Sequence, residues 1–218
     1  MPRNDDNDMI SDWKLVLKVI LGSVVLVMIV IFGLSKMAGN SNTLTVDQNQ
    51  LLDGAKLVKE NGETKVTVVV FSDMECPACK RADDLMNGLD TTMGVKMIFR
   101  HFPLSIHKHS QISARAVETA RVMGKGWEMI DLLFNKQEEW SAVSGIEDKL
   151  VEYAKILELD DKIFMEKLDS TEVISVVQQD QILGNSLRLS GTPTIYVNGE
   201  QIAPDFVMAK VTELLQTN

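Results

Sequence analysis

The sequence predicts an α/β domain whose sheet is interrupted by a block of helices, set behind a single membrane-spanning helix. Three observations predict it. A long apolar run lies near the start, and the elements that follow read strand, helix, strand, several helices, hairpin and helix. A nearly all-apolar strand also leads straight into Cys-Pro-Ala-Cys. With 218 residues, the chain has room for one domain of ordinary size plus an appendage.

Residues 1–14 read as a short tail and 15–35 as the span. Leu15–Leu34 is apolar apart from Lys18 and small residues, and Val19–Ser35 carries no charge. Roughly 20 apolar residues cross a bilayer as a helix. Lys18 is close enough to the end to snorkel, and Trp13 suits the interface. A cleaved leader would have a shorter apolar region and a small-x-small site, and Lys36 spoils the best candidate, the one ending at Ala38. No cysteine follows the run, so a lipid-modified N-terminus is not expected. Arg3, Lys14 and Lys18 outweigh the lone Lys36 beyond the span, which places the N-terminus in the cytoplasm and the rest outside the cell membrane. Residues 36–48 are small and polar without helical period and read as a tether; 49–218 is the domain.

Within the domain, Lys65–Phe71 is β-branched and apolar on both faces, the pattern of a buried strand. Asn61-Gly62 before it suggests a hairpin with Ala55–Lys59. Lys80–Leu89 has helical spacing, and Val95–Phe102 reads as a second buried strand ended by Pro103. Three apolar stripes at helical spacing, beginning at Ile112, Met129 and Leu150, predict a helical insertion over about 106–170. Val173–Leu189 continues as helix. Thr194–Val197 returns to strand, turns at Asn198-Gly199 and pairs back through Glu200–Ala203. Asp205–Gln216 closes as a helix with Asp205 as its N-cap.

The net charge of −9 argues against a nucleic-acid surface, which needs clustered Lys and Arg. The only two cysteines, Cys76 and Cys79, would close too small a loop to stabilise a fold by restraining the unfolded chain. Their value lies in reactivity. Pro77 suits the first turn of a helix, so Cys76 falls where free N–H groups and the helix dipole favour a thiolate. Cys79, one turn further in, is expected to be deeper and to act as the resolving thiol, while Cys76 is exposed and meets the substrate. Zinc would want four ligands, no second cysteine pair exists, and nothing places His101, His107 or His109 nearby. No metal or cofactor is expected. His101 reads as structural, and His107 and His109 as exposed rather than functional. In Ser190-Gly191-Thr192-Pro193-Thr194, Pro193 is expected to be cis. This turn should lie against the Cys76 sulfur, with the Thr192 backbone free to pair with an extended substrate.

Phe-Ser-Asp-Met-Glu-Cys-Pro-Ala-Cys-Lys at 71–80, Phe-Arg-His-Phe-Pro-Leu at 99–104, Trp-Glu-Met followed by Leu-Leu-Phe at 127–134, and Gly-Thr-Pro-Thr at 191–194 resemble the DsbA-like thiol–disulfide oxidoreductases, particularly their membrane-tethered bacterial members. The resemblance covers about residues 50–218. It implies a thioredoxin-like fold with an inserted helical domain, oxidation of cysteine-containing exported polypeptides, and reoxidation by a quinone-linked thiol oxidase in the membrane. A reductase or isomerase using the same pair, and a tethered scaffold, are the other readings. Two positions depart from the family: Ala78 stands where a histidine is common, and Val70 where thioredoxin-like proteins often bury an acid. Asp73 or Glu75 is a candidate proton relay in its place.

Overall fold

The computed structural model describes residues 16–30 and 45–217, which belong to two compact units, Met1–Thr43 and Leu44–Asn218. In the first unit, residues 16–30 form an α-helix with exposed aliphatic side chains. Among the described residues no helix is long and apolar enough to cross a membrane. The tail 1–14, both ends of the expected span (15 and 31–35) and the tether to residue 44 lie outside the described residues.

The second unit is built on a five-stranded sheet in the order β1-β3-β2-β4-β5. The strands are β1 (Leu57–Glu60), β2 (Val66–Ser72), β3 (Val95–His101), β4 (Thr194–Val197) and β5 (Glu200–Ile202). β2 and β3 are parallel, joined across α2 (Pro77–Leu85); the other pairs are antiparallel. Every residue of β2 is buried, because its two faces pack on different layers. Val66, Val68 and Val70 face α2 and the C-terminal helix α9 (Val207–Thr217) through Ala82, Met86, Val207 and Val211. Val69 and Phe71 face the opposite side, toward Leu51 of α1 (Gln48–Leu52) and Leu183 of α8 (Thr171–Ser186). The alternation follows from the two-residue period of a strand. Asn198 and Gly199 both adopt positive φ, which suits a tight hairpin between β4 and β5.

Between β3 and α8 lie α3 (Ser110–Val122), α4 (Gly126–Asn135), α5 (Gln137–Ser141), α6 (Glu147–Ile156) and α7 (Asp161–Lys167). They enclose their own core around Trp140, Tyr153, Phe164 and Leu133, all fully buried. Cys76, Cys79 and Met74 belong to that same cluster, so the cysteine pair lies at the seam between helical cap and sheet.

Two local expectations are corrected. β1 does not form a hairpin with β2 but crosses to the far side of β3, with Leu57 opposite Phe99. β2 is apolar on both faces and takes the centre of the sheet, whereas β1, with Lys59 and Glu60, suits an edge. Asp205 is not the cap of the last helix. Pro204 starts a 3₁₀ turn, Pro204–Phe206, that contains Asp205, and α9 begins at Val207.

Candidate active site

The site begins where β2 ends. Asp73 and Cys76 form a turn closed by the Cys76 N–H to the Asp73 carbonyl, 3.1 Å. Cys76 then stands at the N-cap of α2 in extended conformation, with Pro77 as the first helical residue. The Cys79 and Lys80 N–H groups donate to the Cys76 carbonyl at 3.0 and 3.2 Å. Cys76 is 6 % exposed and Cys79 2 %. Cys79 is the deeper sulfur, but the expectation of an exposed Cys76 is corrected. The cap cluster and the Thr192 turn cover most of its surface, its sulfur lying 3.6 Å from the Thr192 carbonyl oxygen. The Thr192–Pro193 peptide is cis.

The two thiols are driven apart in acidity. The Cys79 thiol hydrogen-bonds to Cys76 and, against the cost of burial, lowers Cys76 to about 5; Thr192 and the N–H groups of Cys79 and Ala78 contribute. Cys79 moves the other way, far above the usual thiol range, because it is buried and because it donates to Cys76. The Asp73 N–H points at the Cys79 sulfur, 3.5 Å away. The pair therefore combines one sulfur that ionises readily with one that holds its proton.

The two acidic residues ahead of the pair are engaged by other parts of the chain. Asp73 is buried, and its carboxylate accepts from the Glu75 N–H (2.9 Å), the Leu104 N–H (2.8 Å) and the His107 ring (2.7 Å). Glu75 accepts from the His109 N–H, and His109 is itself buried, its ring bonded to the Val143 carbonyl. The expectation that His107 and His109 are exposed bystanders is thus corrected: both tie the loop after β3 to the cysteine turn or the cap. His101 is structural, as expected. Its ring meets Glu118 of α3 at 3.0 Å, and its N–H donates to Asp180 of α8, which also pairs with Arg100 at 2.7 Å.

Two contributors escaped the sequence reading. Gln137 of α5 is buried, and its amide donates to the carbonyls of Met74 (2.7 Å) and Cys76 (3.1 Å). Nothing local marks a glutamine sixty-odd residues away for that task. Asp83 lines the cavity behind Cys79. Its spacing, four residues after Cys79 on one helix, was a usable signal.

A thioredoxin family model matches residues 55–217. The chain belongs to the thioredoxin family. Among solved structures, the thioredoxin-like oxidoreductase from Silicibacter pomeroyi is 26% identical with a TM-score of 0.64, covering 79% of this chain and 97% of that one. Oxidised BdbD from Bacillus subtilis is 26% identical at the same TM-score, covering 76% and 93%. The thiol-disulfide exchange protein alpha-DsbA2 from Wolbachia pipientis, 18% identical, shares the fold at a TM-score of 0.66 over 77% of this chain and 91% of that one. The chain thus has the thioredoxin-like α/β fold expected of it, and it is similar at 26% identity to a thioredoxin-like oxidoreductase. Curated relatives are of another size. The Na(+)/H(+) antiporter NhaA 3 of Salinispora tropica is 37% identical over 142 residues, 64% of this chain and 21% of that protein. The Na(+)/H(+) antiporter NhaA of Herminiimonas arsenicoxydans is 30% identical over 72% of this chain and 24% of its own length. The chain spans about a fifth to a quarter of these relatives.

Proposed function

We propose that this thioredoxin-family protein is a dithiol oxidase working through Cys76 and Cys79 on exported polypeptides outside the cell membrane. The observation that carries the reading is the divergence of the two thiols. A Cys76 held at about 5 makes the reduced form stable, and a stabilised reduced form is a strong electron acceptor in its oxidised state. A substrate thiolate attacks Cys76, the Cys76–Cys79 bond breaks, and a mixed disulfide forms. A second substrate thiolate then displaces Cys76, leaving the substrate disulfide and the reduced pair. The Thr192 and Pro193 turn beside the Cys76 sulfur supplies backbone for an extended substrate segment. Reoxidation falls to a quinone-linked thiol oxidase in the membrane, to which the N-terminal helix would keep the enzyme close. A reductase or isomerase would gain less from so acidic a Cys76, since a reductant needs a readily oxidised pair.

The test is non-reducing electrophoresis of Cys79→Ser and Cys76→Ser proteins from acid-quenched, thiol-blocked cells. Cys79→Ser is expected to retain exported cysteine proteins as mixed disulfides on Cys76, and Cys76→Ser none. Comparable adducts in both would refute the division of roles. A pair found fully reduced in the native protein, with no adducts in Cys79→Ser, would favour a scaffold.

A further inference from the structure

Behind the cysteine pair is a small cavity of about 20 Å³, room for about one water molecule. Its walls include Val70, Ser72, Cys79, Asp83 and Trp127, and Asp83 is the one carboxyl among the residues that line it. Four residues separate Cys79 from Asp83 along α2, so the two side chains leave the same face of the helix, their Cβ atoms roughly 5–6 Å apart. Asp83 and Trp127 also line a second cavity of about 290 Å³, with Asp84, Asn87, Asp90 and Asp131. Asn87 and Asp84 are exposed, so this outer cavity reaches the surface. Asp83 is thus shared between an inner space that touches the buried sulfur and an outer one that touches solvent.

We infer that Asp83 is the proton-transfer group for Cys79, acting across the inner cavity as acid when that sulfur leaves and as base when it attacks. The inference rests on the disulfide chemistry proposed above. When a substrate thiolate attacks Cys76, the S–S bond breaks and Cys79 departs with the electron pair. The Asp83 proton neutralises it, and the resulting carboxylate exchanges protons with solvent through the outer cavity, so that it is available as carboxylate for the return step. During reoxidation Cys79 returns a proton to the Asp83 carboxylate as its sulfur attacks the mixed disulfide between Cys76 and the partner oxidase. Two electrons enter from the substrate dithiol and leave to the partner's disulfide.

The need is set by Cys79, whose burial makes a bare thiolate costly. The supply is set by the surroundings of Asp83. Burial, then the charges of Asp131 on α4, Asp84 on α2 and Asp90 in the 3₁₀ turn after it, raise Asp83 to about 7. Both forms are then available near neutral pH, where a proton relay is most effective. Lys59 of β1 acts on neighbouring Asp131, is paired with Asp90 and stands over the Trp127 ring.

The experiment follows the reaction of the oxidised full-length protein with a dithiol peptide by rapid mixing, across about pH 5 to 9. The native rate is expected to bend near pH 7. Asp83→Asn should slow the reaction at least about tenfold near neutrality and remove the bend, whereas Asp83→Glu restores most of the rate. The Cys76 thiolate titration, read by ultraviolet absorbance, should stay in place in both variants. Wild-type rates and profile in Asp83→Asn would overturn the inference, as would a native profile without the bend. Equal loss in both variants accompanied by a moved Cys76 titration would show a structural role instead and overturn it too. A native protein that oxidises no dithiol sinks the oxidase reading itself, a distinct outcome from an active protein indifferent to Asp83.

Discussion

Ala78 occupies the position between the cysteines where a histidine would place a positive charge beside Cys76. The acidity of Cys76 therefore comes from hydrogen bonds, first from Cys79, next from Thr192 and then from the N–H groups of the helix start. This predicts an ultraviolet thiolate titration in the reduced protein with a midpoint near 5, rather than at the ordinary thiol value. The linkage has a definite sign. A folded-state value below the unfolded one stabilises the reduced protein fully above about pH 9, and that contribution is lost as the pH falls through about 5. Denaturant unfolding of reduced and oxidised protein should show the reduced form gaining on the oxidised one between those limits. A gap that does not change with pH would count against an ionised Cys76. Asp73 and His107 illustrate the opposite point: a motif carboxylate that looks free to relay protons is fully engaged by three donors.

At the scale of elements, the cysteine turn is held from three sides. β2 delivers it, α2 carries it onward, and α5 of the cap clamps it through Gln137. Gln137→Leu would leave the Met74 carbonyl buried without its donor, while the Cys76 carbonyl keeps the Cys79 and Lys80 N–H groups, at a cost of about 1–3 kcal/mol. Reversible denaturation of the oxidised protein should register that loss. Retained stability would mean that the Met74 carbonyl finds another partner. The same clamp explains why a five-residue helix, too short to persist alone, is kept in place: its Trp140 is fully buried and donates its indole N–H to the Leu133 carbonyl.

Across the whole molecule, the helical cap and the sheet are tied by buried charge as well as by apolar packing. Arg100 and His101 at the end of β3 reach Asp180 of α8 and Glu118 of α3, so the strand that flanks β2 is tied to both helices. The proposed setting of this domain on the extracytoplasmic side of the membrane rests on the basic residues Arg3, Lys14 and Lys18 at the entrance to the apolar run. A reporter active only outside the cytoplasm, fused after Asn218, is expected to be active. A silent fusion, with an active cytoplasmic reporter at the same point, would reverse the topology and remove the oxidising surroundings that the oxidase needs.

Local chemistry wrote much of this protein legibly. The β2 run, the Asn198-Gly199 turn and the Cys-Pro-Ala-Cys helix start are visible in the sequence because each is decided by neighbouring residues: two-faced apolarity, positive φ, a proline that needs no N–H donor. The order of strands was not decidable in this way, and β1 illustrates why. Asn61-Gly62 is a sound turn signal, yet which strand β1 joins depends on competition for the centre of a sheet that does not exist until the chain folds. The burial of Cys76, the tethering of His107 and His109, the reach of Gln137 and the two cavities that share Asp83 belong to the same class. Each depends on groups brought together from distant parts of the chain, or on the space left between them. Sequence spacing determined which two sulfurs share one helical face; only packing between cap and sheet decided how deep they lie and which groups set their acidity.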